Sequence, residues 1–581
     1  MKKFLYIPLF FIITGFLLNT KDNFSSENTE TSLDTSAFIE EKLASMTLRE
    51  KIGQMIVTHS KGYYLDRNSE EFLRLKSEVQ DNKVGGIIFF AGKSQEEAQI
   101  INDLQSMSDI PLLISADFER GTKMRLDDGS LFPNNMGIGA TRNPNLAYHM
   151  GRIIASECRA LGIHQNYAPV VDVNNNAKNP IINVRSFGED PYLVAELGSA
   201  LIKGLQDGGV IATAKHFPGH GDTDIDSHSD LPVLNFGMDR LDSVELVPYY
   251  KAIKDGVMSV MIAHLSFPAV DNEPFVPASL SSKLVQDLLI DQMHFNGLVV
   301  TDALNMEAIK KHFTTEQVAL MCVNAGIDLI LMPQGEKITI DAIEQAVKDG
   351  VISEERINTS VRKILKSKLW LGLFDIKLVD VDDVQNRINT SEAQDLSRII
   401  AEESITLVKD ITDALPLSGL SDQSCLVVSL NNGLESANTK FFESEFESKA
   451  KDKFKGYYYH DINGDVPNPG TVLSESENAD VIIVPIYAKV KIKTGTVGLP
   501  ESQIKLINDL VDTGKDVIVI SFGNPYLIQG FPNVPAYICA YGDAESSITA
   551  TINAILGNIK FNGKLPVSIS EEYKFGTGIQ K

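Results

Sequence analysis

Val210-Ile211-Ala212-Thr213-Ala214-Lys215-His216-Phe217-Pro218-Gly219-His220-Gly221-Asp222-Thr223-Asp224-Ile225-Asp226-Ser227-His228 begins as an apolar run and ends as a crowd of ionisable groups. Its first five residues read as a short buried strand. From Lys215 onward, three histidines, three aspartates and a lysine fall within fourteen residues. Pro218, Gly219 and Gly221 exclude a regular helix, so the part from Lys215 is expected to be a shaped loop. Ionisable side chains gathered at a strand's end are the layout of an active site, and the question is what scaffold repeats around them.

Apolar runs recur at residues 54–57, 86–90, 111–116, 164–168, 210–214, 257–263, 297–301 and 328–332. Segments of helical period separate them, at 95–106, 146–161, 192–207 and 280–293 among others. The runs do not alternate in polarity, which marks strands buried on both faces of a parallel sheet. Glycines stand before or at the start of many of them. Gly85, Gly162, Gly209, Gly256, Gly297 and Gly326 are expected to end the preceding helices. Asp117, Asp172, His216, His264 and Asp302 follow the runs, at the opposite ends. Active sites of (β/α)8 barrels lie at those ends.

The fold class is therefore α/β, an N-terminal (β/α)8 TIM-type barrel over residues 38–376 followed by a smaller open α/β sandwich domain over 393–581. An acidic linker over 377–392 joins them. The second domain shows apolar runs at 425–430, 479–486, 516–522 and 536–541, with helical segments at 501–513 and 545–556. These are too few for another barrel, and no glycine-rich phosphate loop stands at a strand–helix junction. In the first domain a helix is expected over 36–44. A second, over 47–54, carries Thr47 and Glu50 at capping-box spacing.

Residues 1–22 read as an export signal or N-terminal anchor. Two lysines precede an apolar stretch from Phe4 to Leu18, which is short for a membrane span, and a polar linker over 23–37 follows. The expected location is periplasmic or extracellular. A formal charge of −24 in 581 residues argues against nucleic acid as a partner. Cys158, Cys322, Cys425 and Cys539 sit in apolar contexts without C-x-x-C spacing, and buried free thiols are expected.

Several readings of the ionisable residues stand side by side. His216, His220 and His228 invite a metal, but Pro218 and Gly219 prevent the helix that would align the first two, and neither metal nor cofactor is expected. Asp226-Ser227-His228 sets a carboxylate two residues from an imidazole, an arrangement for proton transfer that also occurs on solvated surfaces. Asp302, the first charge after an apolar strand, is either a nucleophile or the N-cap of a helix over 303–312. Asp117, Arg125 and Arg185 suit bidentate bonding to vicinal hydroxyls, or surface ion pairing.

The stretch from Lys215 to His228 carries K-H-F-P-G-H-G-x-T-x-x-D-S-H. Upstream stands Arg185-Ser186-Phe187-Gly188-Glu189-Asp190-Pro191, and downstream Val299-Val300-Thr301-Asp302-Ala303-Leu304-Asn305-Met306. Together they resemble glycoside hydrolase family 3, in its β-N-acetylglucosaminidase branch. The resemblance extends to Ala401-Glu402-Glu403-Ser404-Ile405-Thr406-Leu407-Val408-Lys409 at the entry of the second domain. It implies an exo-acting retaining hydrolase of terminal N-acetylglucosamine, acting on a carbohydrate substrate from peptidoglycan fragments or chitooligosaccharides. Asp302 matches the nucleophile, and His228 with Asp226 the acid/base dyad. Asp117, Arg125, Arg185, Lys215 and His216 match residues that hold the terminal sugar. Arg120 departs from the family pattern, which has glycine between Glu119 and Gly121. β-Glucosidase or xylosidase activity and phosphorolysis are the alternatives, and a non-catalytic sugar-binding protein is the other class.

Overall fold

The computed structural model describes residues 30–224, 230–271, 273, 275–418, 421–433, 438–488 and 498–581. The export or anchor segment over 1–22 lies outside them, as do Asp226 and His228. The chain divides into residues 1–45 and 46–581. In the first unit the helix Glu30–Ser45 starts inside the stretch expected as a polar linker. In the second, the helix Leu48–Gln54 opens on the expected capping box, with the Thr47 side chain accepting from Glu50 N and the Glu50 carboxylate accepting from Thr47 N at 2.8 Å.

Eight parallel strands follow: β1 Ile56–Gly62, β2 Gly86–Gly92, β3 Leu113–Ala116, β4 Gln165–Asn166, β5 Ile211–Phe217, β6 Ser259–Ile262, β7 Leu298–Thr301 and β8 Ile330–Leu331. Hydrogen bonding runs in the order β7-β6-β5-β4-β3-β2-β1-β8. A parallel bridge between Val300 and Leu329 joins the two ends and closes the barrel. Burial explains why these strands read as apolar runs, since all seven residues of β5 are buried. The strands are offset from the runs in two places that matter. β1 continues through Thr58, His59 and Ser60, and β5 continues through Lys215, His216 and Phe217. The shaped loop therefore begins at Pro218, and the first two ionisable groups of the stretch stand on a rigid strand.

The glycines divide into two kinds. Gly162 and Gly326 cap helices in the left-handed conformation, as expected. Gly85 and Gly297 have no positive φ. A Cβ at Gly85 would stand 1.8 Å from the Gln54 carbonyl oxygen, and one at Gly297 2.4 Å from that of Met258. Close backbone approach, not helix capping, requires glycine there. The segment expected as a helix over 280–293 is a 3-10 turn, Ala278–Leu280, followed by a π-helix, Lys283–Gln292.

The second domain is a mixed six-stranded sheet: β9 Thr406–Asp410, β10 Ser424–Asn431, β11 Gly456–Asn463, β12 Val481–Tyr487, β13 Asp516–Ser521 and β14 Ala536–Cys539. Its order is β11-β10-β12-β13-β14-β9, with only β9 antiparallel to its neighbour. Alternate residues feed two cores. Leu426, Val428, Ile482, Val484, Val517 and Val519 face one, packed by Leu506 and Leu510 of the helix Glu501–Val511. Val427, Ile483, Ile518 and Ile520 face the other, against Phe442, Phe446, Ile548 and Ile552. The first core also takes Met136 and Ala140 from the barrel's helix Asn135–Thr141, so the two domains share apolar packing. The four cysteines are buried free thiols.

At the foot of the barrel Lys368 is fully buried, and its Nζ donates to Gln54 Oε1 at 2.6 Å. Burial pushes the amine down to about 7, against about 10.4 in an unfolded chain. Between those values the unfolded state binds more protons, so wild-type stability rises with pH across that window. Lys368→Met removes this term. The stability of the variant relative to wild type should increase as pH falls from 10 to 7, by at most about 1.4 kcal/mol per pH unit, and then level off. Urea unfolding at several pH values measures this, and a constant difference between the two proteins would contradict it.

Candidate active site

Glu119 organises the mouth of the barrel. Asp117 follows β3, and Glu119 lies two residues further on, so the two carboxylates leave the strand end in the same direction. Lys215, on β5, donates to Asp117 Oδ1 at 2.8 Å and lies 2.9 Å from Glu119 Oε1. Arg185 ends the 3-10 turn Asn183–Arg185 and grips Glu119 with two parallel bonds, Nε to Oε2 at 2.9 Å and Nη2 to Oε1 at 2.7 Å. Its Nη1 donates to the Ile181 carbonyl at 3.1 Å. Arg125 reaches Asp117 Oδ2 at 3.4 Å and lies over the Phe90 ring at 5.3 Å.

Burial alone would raise the Glu119 carboxyl, but Arg185 and Lys215 hold it well below the usual range. The same contest runs in reverse for Lys215, where burial is outweighed by Asp117 and Glu119 and the amine is held above its ordinary value. Both partners stay charged.

A second buried carboxylate, Asp172, fixes the far side. It accepts from the backbone N–H of His216 at 3.2 Å and of His220 at 2.7 Å, and pairs with His216 Nδ1 at 2.8 Å. Burial would raise it, but His216 and His220 hold it below its ordinary value. His220 itself is pushed down to about 4 by burial, and its Nδ1 pairs with Thr223 Oγ1 at 3.0 Å. The turn between is tight. At Gly221 a Cβ would meet the Val173 carbonyl oxygen at 1.7 Å. Asn179 Nδ2 ties down the carbonyls of His220 and Gly221 at 2.8 and 2.9 Å.

Asp302 follows β7 directly, with its N–H on the Ile262 carbonyl at 2.9 Å. Its Oδ1 accepts from Ala303 N at 2.7 Å, but the next helix is only Glu307–Lys310, capped by Met306. The N-cap reading and the helix over 303–312 are thereby set aside. His264, after β6, holds the adjoining backbone, with Nε2 at 3.1 Å from the Ala303 carbonyl oxygen.

A cavity of about 360 Å³ joins these groups. Asp117, Glu119, Arg125, Arg185, Lys215, His216, His220 and Asp302 line it, with Phe90, Met306 and Leu331 among its apolar walls. Three carboxylates face three permanent cations, a balanced set that suits a neutral polyhydroxylated ligand and gives an anion no net attraction. Among the described residues no group of three His, Cys, Asp or Glu side chains is placed to hold a metal ion.

Of the site residues expected from sequence, Asp117, Arg125, Arg185, Lys215, His216 and Asp302 all line this one cavity. Asp226 and His228 fall outside the described residues, just beyond Asp224. Asp172 stands among the residues expected at the active-site ends of the strands, without a role of its own, and Glu119 is not among the expected site residues. The i, i+2 spacing of Glu119 from Asp117 at a strand's end was the available signal. Arg120 does not need glycine's freedom, because the left-handed turn falls on Gly121, with φ of 105°.

The second domain reaches this site through the loop that bears Arg185. Ser568 donates from N and Oγ to Glu189 at 2.7 and 2.5 Å, and Asn174 donates to the Tyr526 hydroxyl at 3.0 Å. A cleft of about 430 Å³ runs between the domains, lined by Lys178, Asp224, Leu499, Tyr526, Gln529 and Phe531 among others.

Two family models together cover most of the chain. The glycosyl hydrolase family 3 N terminal domain matches residues 47–367, and the corresponding C-terminal domain matches 311–576. A β-N-acetylglucosaminidase/β-glucosidase of Cellulomonas fimi is 28% identical over 560 residues, 92% of this chain and 96% of its own length. A solved glycoside hydrolase family 3 β-N-acetylglucosaminidase from Paenibacillus sp. str. FPU-7 is 34% identical, with a TM-score of 0.79 over 90% of this chain and 99% of that one. A solved β-glucoside phosphorylase is 28% identical, with a TM-score of 0.83 over 92% of this chain and 97% of that one.

Lys215 is the shared cation of Asp117 and Glu119, so Lys215→Met leaves two neighbouring carboxylates competing for the arginines. A loss of about 3–5 kcal/mol is expected at pH 7 in denaturant unfolding. It should shrink toward pH 4.5, where one carboxyl takes up a proton and relieves the repulsion. An equal loss at both pH values would contradict the clamp.

Proposed function

This chain belongs to glycosyl hydrolase family 3, and from that premise we propose that it is an exported, exo-acting, retaining β-N-acetylglucosaminidase. The proposed substrates are peptidoglycan fragments or chitooligosaccharides carrying a terminal N-acetylglucosamine. The observation that carries the proposal is Asp302 standing in a charge-balanced cavity with Asp117, Arg125, Arg185, Lys215 and His216. The likeness to the Paenibacillus enzyme supports the sugar, and the motif Asp226-Ser227-His228 supports the branch.

In the first step Asp302 attacks the anomeric carbon through an oxocarbenium-like transition state. The glycosidic C–O bond breaks as His228, protonated and held by Asp226, gives its proton to the departing oxygen. A glycosyl ester on Asp302 results. His228 then takes a proton from water, the hydroxide attacks the anomeric carbon, and Asp302 is released. Lys215, Arg185 and Arg125 hold sugar hydroxyls throughout, each already paired with Asp117 or Glu119. Reading residues 1–22 as a leader puts this turnover outside the cytoplasm.

Phosphorolysis is a second reading, favoured by the likeness to the β-glucoside phosphorylase. A neutral imidazole in place of a second carboxylate does not repel an incoming anion. Products formed with and without phosphate separate the two, as free sugar or sugar 1-phosphate.

Asp302→Ala is expected to abolish turnover, and aryl β-N-acetylglucosaminide should be cleaved well ahead of aryl β-glucoside. His228→Ala should lose far more activity on substrates with poor leaving groups than on activated aryl glycosides. Steady-state kinetics on both substrate sets measures this. Near-wild-type turnover by Asp302→Ala, or equal losses for His228→Ala, would contradict the mechanism.

A further inference from the structure

A cavity of about 310 Å³ opens at the foot of the barrel, the end away from Asp302. Arg159, His164, Lys377, Asp380, Asp383 and Arg387 are among its lining residues. Arg159 belongs to the helix Pro144–Leu161, His164 leads into β4, and the other four belong to the segment that runs on to the second domain. The two acids have neighbours of their own, Asp380 Oδ1 accepting from Asp382 N at 3.1 Å and Asp383 Oδ1 from Asn386 Nδ2 at 3.3 Å. Lys377 Nζ donates to the Ser108 carbonyl at 2.9 Å.

The arginines have no such partners. Among the described residues neither guanidinium makes a hydrogen bond or an ion pair. After burial, the influence that most depresses the half-buried Arg159 is Arg387 itself. This is unusual in a chain with 77 acidic and 53 basic residues. His164 adds a donor. It is 3% exposed, and its Nδ1 accepts the Ile114 amide proton at 3.1 Å, so the neutral ring's own proton sits on Nε2. Among the described residues that N–H has no partner.

We infer that this cavity binds a small oxyanion of the phosphate class, held by the guanidiniums of Arg159 and Arg387 with His164 Nε2–H as a neutral donor. Guanidiniums suit such a ligand because their paired N–H groups match two oxygens at once. The ligand is either inorganic phosphate or the phosphate group of a small ester, and the cavity has room for either. A bound anion would tie the inter-domain segment to the barrel without touching the sugar cavity, so the inference stands independently of the proposed reaction.

Isothermal calorimetry with inorganic phosphate and with a hexose 6-phosphate, at matched ionic strength, tests it. Saturable one-site binding of at least one probe is expected in wild type. The Arg159→Gln/Arg387→Gln protein should bind it at least about tenfold more weakly, from two lost charge-assisted contacts, while turnover is unchanged. The probe that binds more tightly identifies the source of the phosphate group. Absence of binding in wild type, or equal affinity in the double variant, overturns the inference. Should the double variant lose turnover, Arg387→Gln alone carries the comparison, because its side chain is exposed and its removal disturbs no packing; unchanged affinity there overturns the inference equally.

Discussion

Glu119 is a carboxylate with 4% of its surface exposed, and it stays ionised because two cations from different parts of the barrel meet it. Lys215 comes from β5, and Arg185 from the long connection after β4. Taking such a charge out of water costs several kcal/mol unless partners and hydrogen bonds compensate it. The clamp therefore constrains three barrel ends to one geometry, and a displaced loop would strand a buried charge. The donors left over on Lys215, Arg125 and Arg185 are already oriented before a ligand arrives. Preorganisation of this kind leaves less ordering to be done on binding.

The second domain belongs to the same constraint. The loop from Asp172 to Pro191 has little regular structure, and isolated it would be free to move. Its fixing points lie on both sides. Asn135 Nδ2 donates to the Arg185 carbonyl at 2.8 Å, while Glu189 and Asn174 are held by Ser568 and Tyr526 of the sheet domain. Arg142 donates to the Leu565 carbonyl at 3.1 Å and lies 4.2 Å from the Phe575 ring centroid. The sheet domain thus acts on the site by holding Arg185's loop, and its own residues border the cleft beside Asp224.

The barrel was legible because parallel strands buried on both faces leave apolar runs, and because Asp117, Asp172, His216, His264 and Asp302 gather after those runs. What escaped was whatever lacked that signature. β11, Gly456–Asn463, is an edge strand of tyrosines and polar residues in which only Ile462 is buried, so it forms no apolar run. β1 and β5 run past their apolar cores into Thr58 and Lys215, because a barrel strand's top faces a polar cavity. Gly85 and Gly297 looked like helix caps, yet their role depends on a neighbouring backbone that sequence does not display. At the site, each expected sugar-holding residue came into one cavity. The central carboxylate did not announce itself, because its partners lie in distant parts of the chain.

The proposed mechanism rests on a covalent bond between Asp302 and the sugar. Incubation with an activated 5-fluoro β-N-acetylglucosaminide, which slows breakdown of the glycosyl-enzyme, followed by peptide mapping in a mass spectrometer, tests it directly. One added fluorosugar is expected on the peptide that contains Asp302. Labelling of a different carboxylate, with Asp302 unmodified, would contradict it.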